Sequence, residues 1–338
     1  MTGRLWLESR KPQRGLSLVE LLIALLLGVL LSSGVVAAYL GGKRHFLYAE
    51  QMARMQENGR YALGLISRDL AMAGFFGGLP DASLVAAQAV TGDCAAGDWA
   101  LSTSQPLGLV DNHSGVLAPL GGDGHVYTCI DGGTVQAGTD LLAIKRSFSE
   151  PSLQRGEVAA SLTRGAVELW YLRRQEGAVP RWVQHRSRDL EGLAVANPTL
   201  SFWEASARVF FIRRFAVEPA DGVPTLCVDT LAGNAMTVRC LVEGVEDLQF
   251  EFGIDTDGDG VANLYRDSLS AEDASRAVTA AVHVLLRSLN PLPGHIDNRS
   301  YRLGRRQVDP PGDGYLRSVY STLVSLNNLV AARAWHDV

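Results

Sequence analysis

From Leu16 to Leu40 the chain reads LSLVELLIALLLGVLLSSGVVAAYL, and Glu20 is its one charged residue. About 25 such residues make roughly 37 Å of α-helix, enough to cross a hydrocarbon core of about 30 Å. Past Leu40 the pattern changes but the helical period persists. Tyr48, Met52, Met55, Gly59, Ala62, Ile66, Leu70 and Ala73 advance by threes and fours. Lys43, Glu50, Arg54, Glu57, Arg60 and Arg68 fall mostly on other faces. This spacing predicts an amphipathic helix packed on a globular body, stopped by Gly74, Gly77, Gly78 and Pro80. One long helix is expected, membrane-spanning over 16–40 and amphipathic over 41–76.

From about residue 90 the period shortens to two. GTDLLAIKRS, AVELWYLRR, RWVQHR and ARVFFIRRFAV are short runs rich in branched and aromatic residues, separated by Gly, Pro, Asp or Asn. LQFEFGI places Leu248, Phe250, Phe252 and Ile254 on one face, and AVTAAVHVLLRS and LRSVYSTLVSLNNL continue the alternation. The expected fold is α+β: a long N-terminal helix packed on a mainly antiparallel sheet, with residues 77–338 as the β-rich domain.

Composition adds orientation. The formal net charge is -5, which excludes the basic balance of a nucleic-acid binder. Residues 1–15 are basic, however, with Arg4, Arg10, Lys11 and Arg14 against Glu8. A basic stub before an apolar run stays in the cytoplasm and sends the chain beyond that run across the membrane. A secretory signal cleaved near Ala38 is the competing reading, but its apolar core would be about 7–15 residues, shorter than this one.

Gly15 directly before Leu16, with Glu20 five residues into the apolar run, resembles the class III signal of type IV prepilins. The resemblance implies cleavage after Gly15 by a prepilin peptidase, with 1–15 as cytoplasmic leader, then methylation of the new N-terminus at Leu16. Phe usually stands at that first position. It also explains a carboxylate that costs roughly 2.5–3.5 kcal/mol at membrane depth. Glu20 would pair with the N-terminal amine of a neighbouring subunit, and opposite charges attract more strongly at low dielectric. Gly28 and Ser32 form a small-xxx-small pair that permits close helix packing.

QENGRYALGLISRDLAMAGFF is similar to the PilW family of minor pilins, and GVEDLQFEFGIDTDGDG, VHVLLRSLNP and YSTLVSLNN match the family's pattern in order. GFFGGLP lacks the cysteine the family often has there, and residues 80–160 carry nothing of the resemblance. A minor pilin that primes and enters the type IV pilus is implied, serving pilus assembly, twitching motility and adhesion. Its partners would be other minor pilins, the major pilin, the prepilin peptidase and the inner-membrane assembly platform. The chain would sit in the inner membrane by a single pass, its domain in the periplasm and then on the pilus at the cell surface. Two alternatives stand: a J-like pseudopilin of type II secretion, and a membrane-anchored calcium-dependent adhesin or binding module.

DTDGDGVAN is the sharpest internal motif. Asp255, Asp257 and Asp259 take positions 1, 3 and 5 of a calcium loop, with Gly260 at 6, the Val261 carbonyl at 7 and Asn263 at 9. Arg266 occupies position 12, where a bidentate Glu belongs. An Asp/Gly hairpin turn is the competing reading. Cys94, Cys129, Cys227 and Cys240 lie on the outward side, where disulfides form. Sequence order suggests Cys94–Cys129 and Cys227–Cys240, one of three connectivities. Neither HExxH nor GxSxG occurs, so an enzyme is not expected, and His113 and His125 read as surface residues.

Overall fold

The computed structural model describes residues 15, 17–95, 97–115, 118–194 and 199–336. Residues 1–14 of the expected leader, and Leu16, lie outside the described residues. Two compact units divide the chain, 1–50 and 51–338. In the first, helix α1 (Leu18–Ala71) begins, and every residue from 17 to 40 is exposed. Among the described residues, α1 is the helix long and apolar enough to cross a membrane.

In the second unit α1 buries a stripe: Gln51, Met55, Gly59, Ala62, Ile66, Asp69 and Leu70. The apolar spacing anticipated this, except that Tyr48 is exposed and Asp69 shares the buried face. The helix ends at Ala71, short of 76, because the chain turns at Gly74. There φ is +76°, a conformation glycine adopts without a Cβ clash, and its N–H bonds Lys145 O at 3.1 Å.

Two antiparallel sheets follow. The larger contains β1 (Leu107–Val110), β2 (Leu141–Ser147), β3 (Leu153–Gln154), β4 (Glu157–Val158), β5 (Glu168–Gln175) and β6 (Arg181–Arg186). After a short α2 (Leu190–Ala194) it is completed by β7 (Leu200–Arg213), β8 (Thr225–Ala232) and β9 (Ala235–Glu243). The long β7 is its spine, pairing with β2, β3, β5 and β8. The smaller sheet runs β11-β10-β12-β15: β10 (Val245–Ile254), β11 (Leu264–Arg266), β12 (Ala277–Arg287) after a short α3 (Ala271–Arg276), and β15 (Arg317–Ser325). The β13–β14 hairpin (Tyr301–Leu303, Arg306–Val308) packs Tyr301 and Leu303 against Leu285.

One core joins the α1 stripe to both sheets. Met55, Ala62, Ile66 and Leu70 pack with Leu142 and Phe210 of the larger sheet and with Leu248, Phe250, Phe252 and Ile254 of the smaller. The β10 alternation therefore delivers the face it predicts. A second core lies on the other side of the larger sheet, where Phe76, Val85, Trp99, Leu101, Tyr127 and Val135 cover Ala143, Val209 and Phe211. Residues on either side of β1, from Phe76 to Leu101 and from Tyr127 to Val135, thus contribute an irregular covering layer. Cys94–Cys129 closes it, and Cys227–Cys240 links the paired strands β8 and β9.

The closing run LRSVYSTLVSLNNL is not all strand. β15 stops at Ser325 and α4 (Asn327–His336) begins. Leu326 and Leu329 are both buried, three residues apart, and the N–H groups of Leu329 and Val330 turn back to Leu326 O. A spacing of three at the end of a period-2 run is a helical signal that the alternation hides.

Candidate assembly site and acidic loop

The first turn of α1 holds Glu20 in a reciprocal arrangement. The Ser17 N–H donates to Glu20 Oε2 at 3.0 Å, and the Glu20 N–H donates to Ser17 Oγ at 3.2 Å. This is a capping box, satisfying two donors at a helix start that lack intrahelical partners. The spacing Ser17-x-x-Glu20 was open to inspection in the sequence. The carboxylate also lies at the positive end of the helix dipole. Among the described residues Glu20 therefore has one hydrogen-bond partner, Ser17, and it stays exposed. Gly15 is exposed as well. Nothing lies within 4 Å of a Cβ built on Gly28.

Farther along, the polar residues of the PilW-like motifs anchor the helix. Asn58 Nδ2 donates to Glu243 O at 3.0 Å. Gly59 admits the ring of Tyr320, whose Cδ2 would stand 2.8 Å from a Cβ placed there. Asp69 is 1% exposed and accepts from Arg146 Nε at 3.0 Å and Arg208 Nη1 at 2.7 Å, so β2 and β7 hold it from the sheet. Asn328 of α4 donates to Ala71 O at 2.9 Å. Sequence reasoning saw the motif but not this job. The usable signal was a carboxylate three residues after Ile66, in phase with the buried stripe.

The acidic loop joins β10 to β11, a hairpin with no flanking helices. One carboxylate oxygen each of Asp255, Asp257 and Asp259 lies within 4.8 Å of the others, a hard-oxygen set of the kind calcium takes. Asp255 is buried and built in: its Oδ1 accepts from Gly258 N at 2.7 Å, its Oδ2 from Gly260 N and from Arg333 Nη2, both at 3.0 Å. Desolvation works against its charge, but the two backbone donors and Arg333 hold its pKa below the ordinary carboxylate value. Asn263 Oδ1 accepts from Thr256 N and Oγ1 instead, and Val261 N–H donates to Asp259. Arg266, at position 12, lies beside Asp273. The three aspartates are a donor set that calcium could take, while Asn263 is engaged within the turn by Thr256 and Arg266 faces Asp273 of α3. His113, expected at the surface, is buried, its N–H bonded to Thr139 O at 2.9 Å.

Two known families match parts of the chain. Residues 10–36 match the Prokaryotic N-terminal methylation motif, a span that includes Gly15, Leu16 and Glu20. Residues 209–328 match Type IV Pilus-assembly protein W. The later part of the chain is thus similar to the PilW family, and its start to the methylation motif of prepilins. Its PilW segment runs from β7 into α4 and includes Tyr320, Arg317, Asn328, the acidic loop and the Cys227–Cys240 bridge. No curated protein matches the chain. A solved type IV-like pilin from Thermus thermophilus aligns at a TM-score of 0.37 and 10% identity, covering 82% of this chain and 97% of that one. So distant a likeness carries no argument. Both matches are to type IV pilin-like families, and the methylation-motif match overlaps the start of the apolar helix.

Proposed function

We propose that this PilW-domain chain is a minor pilin that primes type IV pilus assembly and is built into the fibre. It docks laterally in the inner membrane with other minor pilins and the major pilin after cleavage between Gly15 and Leu16 and methylation there. One observation carries the reading: an α1 whose residues from 18 to 40 are all exposed opens on a carboxylate that, among the described residues, is engaged only through Ser17. Lipid and neighbouring apolar helices suit those side chains, and a neighbour's amine suits Glu20. Twitching motility and adhesion are then uses of the fibre. Calcium, held weakly by Asp255, Asp257 and Asp259, would steady the β10–β11 turn.

The test separates charge from hydrogen bonding. Glu20→Gln retains an oxygen for the Ser17 N–H, so the helix start stays capped while the charge is lost. Membrane insertion is expected to be intact or improved, and pilus number and crosslinking to partner pilins to fall in Glu20→Gln as far as in Glu20→Leu. Normal piliation in both variants would refute the pairing. Gly15→Ala should leave the unprocessed chain, seen by mass.

A further inference from the structure

Between Glu20 and Glu50 the chain carries two fixed charges, both positive and adjacent: Lys43 and Arg44. They lie three and four residues past Leu40, about 4.5 and 6 Å along a helix axis. A span of 18–40 fills a hydrocarbon core of about 30 Å, so the two cations emerge at the level of lipid phosphates. Their surroundings have interfacial chemistry. Tyr39 is 69% and Phe46 68% exposed, and with Lys43 they lie at i, i+4 and i+7 on one helix face. Arg44 and Tyr48 form a second i, i+4 pair. Nothing lies within 4 Å of a Cβ built on Gly41 or Gly42, which leaves room beside the cations for a headgroup. Aromatic rings settle at the membrane–water boundary, and long basic side chains reach from it to phosphate.

We propose that Lys43 and Arg44, flanked by Tyr39, Phe46 and Tyr48, bind anionic phospholipid headgroups on the leaflet where α1 leaves the membrane, and so fix the depth of the anchor. The inference rests on the membrane reading of α1, not on pilus assembly. It has a further reason. Processing after Gly15 would remove Arg4, Arg10, Lys11 and Arg14, leaving this pair as the basic residues nearest the span. Electroneutrality favours a lipid of net negative charge over a zwitterionic one at that ring of charge.

The experiment uses the chain processed after Gly15, so that Arg4, Arg10, Lys11 and Arg14 are gone, reconstituted in phosphatidylcholine vesicles containing a minor fraction of phosphatidylglycerol. Electron spin resonance of spin-labelled phosphatidylglycerol or phosphatidylcholine reads the fraction of lipid immobilised at the protein. Wild type should prefer phosphatidylglycerol by roughly fivefold for each cation at low salt, and raised ionic strength should weaken the preference. Lys43→Gln with Arg44→Gln should bring it close to one, with the chain still inserted. Glu20→Gln should keep it, which separates this proposal from the pilin-pairing reading. Equal association of the two lipids with wild type, as expected if these cations serve a partner protein's carboxylates instead, would overturn it. So would a preference that survives the double substitution.

Discussion

Over residues 17–40, α1 turns apolar side chains outward on every described face; over 51–71 the same helix buries one stripe and shows the rest to water. Each stretch holds one carboxylate out of keeping with its neighbours. Asp69 sits within the stripe, and its two oxygens take three donors from Arg146 and Arg208, most of what a carboxylate can accept. Glu20 takes one donor, from Ser17. The first carboxylate is consumed by its own domain and the second retains capacity. An acid at an unfavourable position is thus not one signal but two, distinguished by how many of its lone pairs the subunit itself fills.

The largest test of this contrast is Asp69→Ala. Removing the anion strands Arg146, whose side chain is 7% exposed, and an uncompensated buried charge costs about 3–5 kcal/mol. Thermal unfolding of the full chain in detergent should show a loss of that size, whereas Glu20→Gln should leave the domain transition unmoved. Gly59→Ala comes next. Helix propensity favours alanine by about 1 kcal/mol, but the new Cβ meets the Tyr320 ring and overpacking costs typically about 1–3 kcal/mol. A net loss of up to about 2 kcal/mol is expected, while Gly28→Ala, in the exposed stretch, should cost the domain nothing. An equal response at both glycines would mean that ring contact is unimportant.

Asp229 provides a buried carboxylate without cations. It lies on β8 between Val209 and Val238, 1% exposed, with no partner for Oδ1. Burial pushes its carboxyl up from 3.8 to about 6, against the pull of the Thr230 N–H. Because the folded value is the higher one, its contribution to stability is whole below the unfolded value and is lost as pH rises through about 6. Asp229→Asn should therefore unfold later than wild type at neutral pH, by on the order of 1 kcal/mol after allowance for solvent screening. The two curves should converge on acidification to about pH 4. A constant gap across that range would show that Asp229 is not protonated in the folded chain. Calcium should have the smallest effect. At a free concentration equal to its dissociation constant it adds about 0.4 kcal/mol, so titration to millimolar calcium is required, and Asp257→Ala should abolish the rise in melting temperature.

The two stretches also differed in how far they could be read in advance. Apolar spacing located the span and the stripe, because burial on a helix repeats every three or four residues. Alternation located β10, with Leu248 to Ile254 all facing the α1 core. The features that escaped depended on partners distant in sequence. Asp69 looks like an ordinary surface acid until Arg146 and Arg208 are placed beside it, and Gly59 like a weak helix residue until Tyr320 arrives. The covering layer on either side of β1 has scant regular structure, so no period announces it; its order comes from Trp99, Tyr127 and the Cys94–Cys129 bridge. At the acidic loop the spacing of the aspartates was legible, but the engagement of Asn263 with Thr256 was not.

The tie between Asn328 and Ala71 spans 257 residues of chain, and that separation is also an interval of time. At about 5–20 residues per second of synthesis, the ribosome delivers the end of α1 roughly 13–50 s before the α4 residue that holds it. The buried stripe must wait through that interval without Tyr320 or the smaller sheet. Arg146 arrives much sooner, 77 residues after Asp69. The ion pair therefore becomes available well before the aromatic lid on Gly59, which is among the last contacts made. Any factor that escorts this chain during synthesis has most to protect in the gap between those two events.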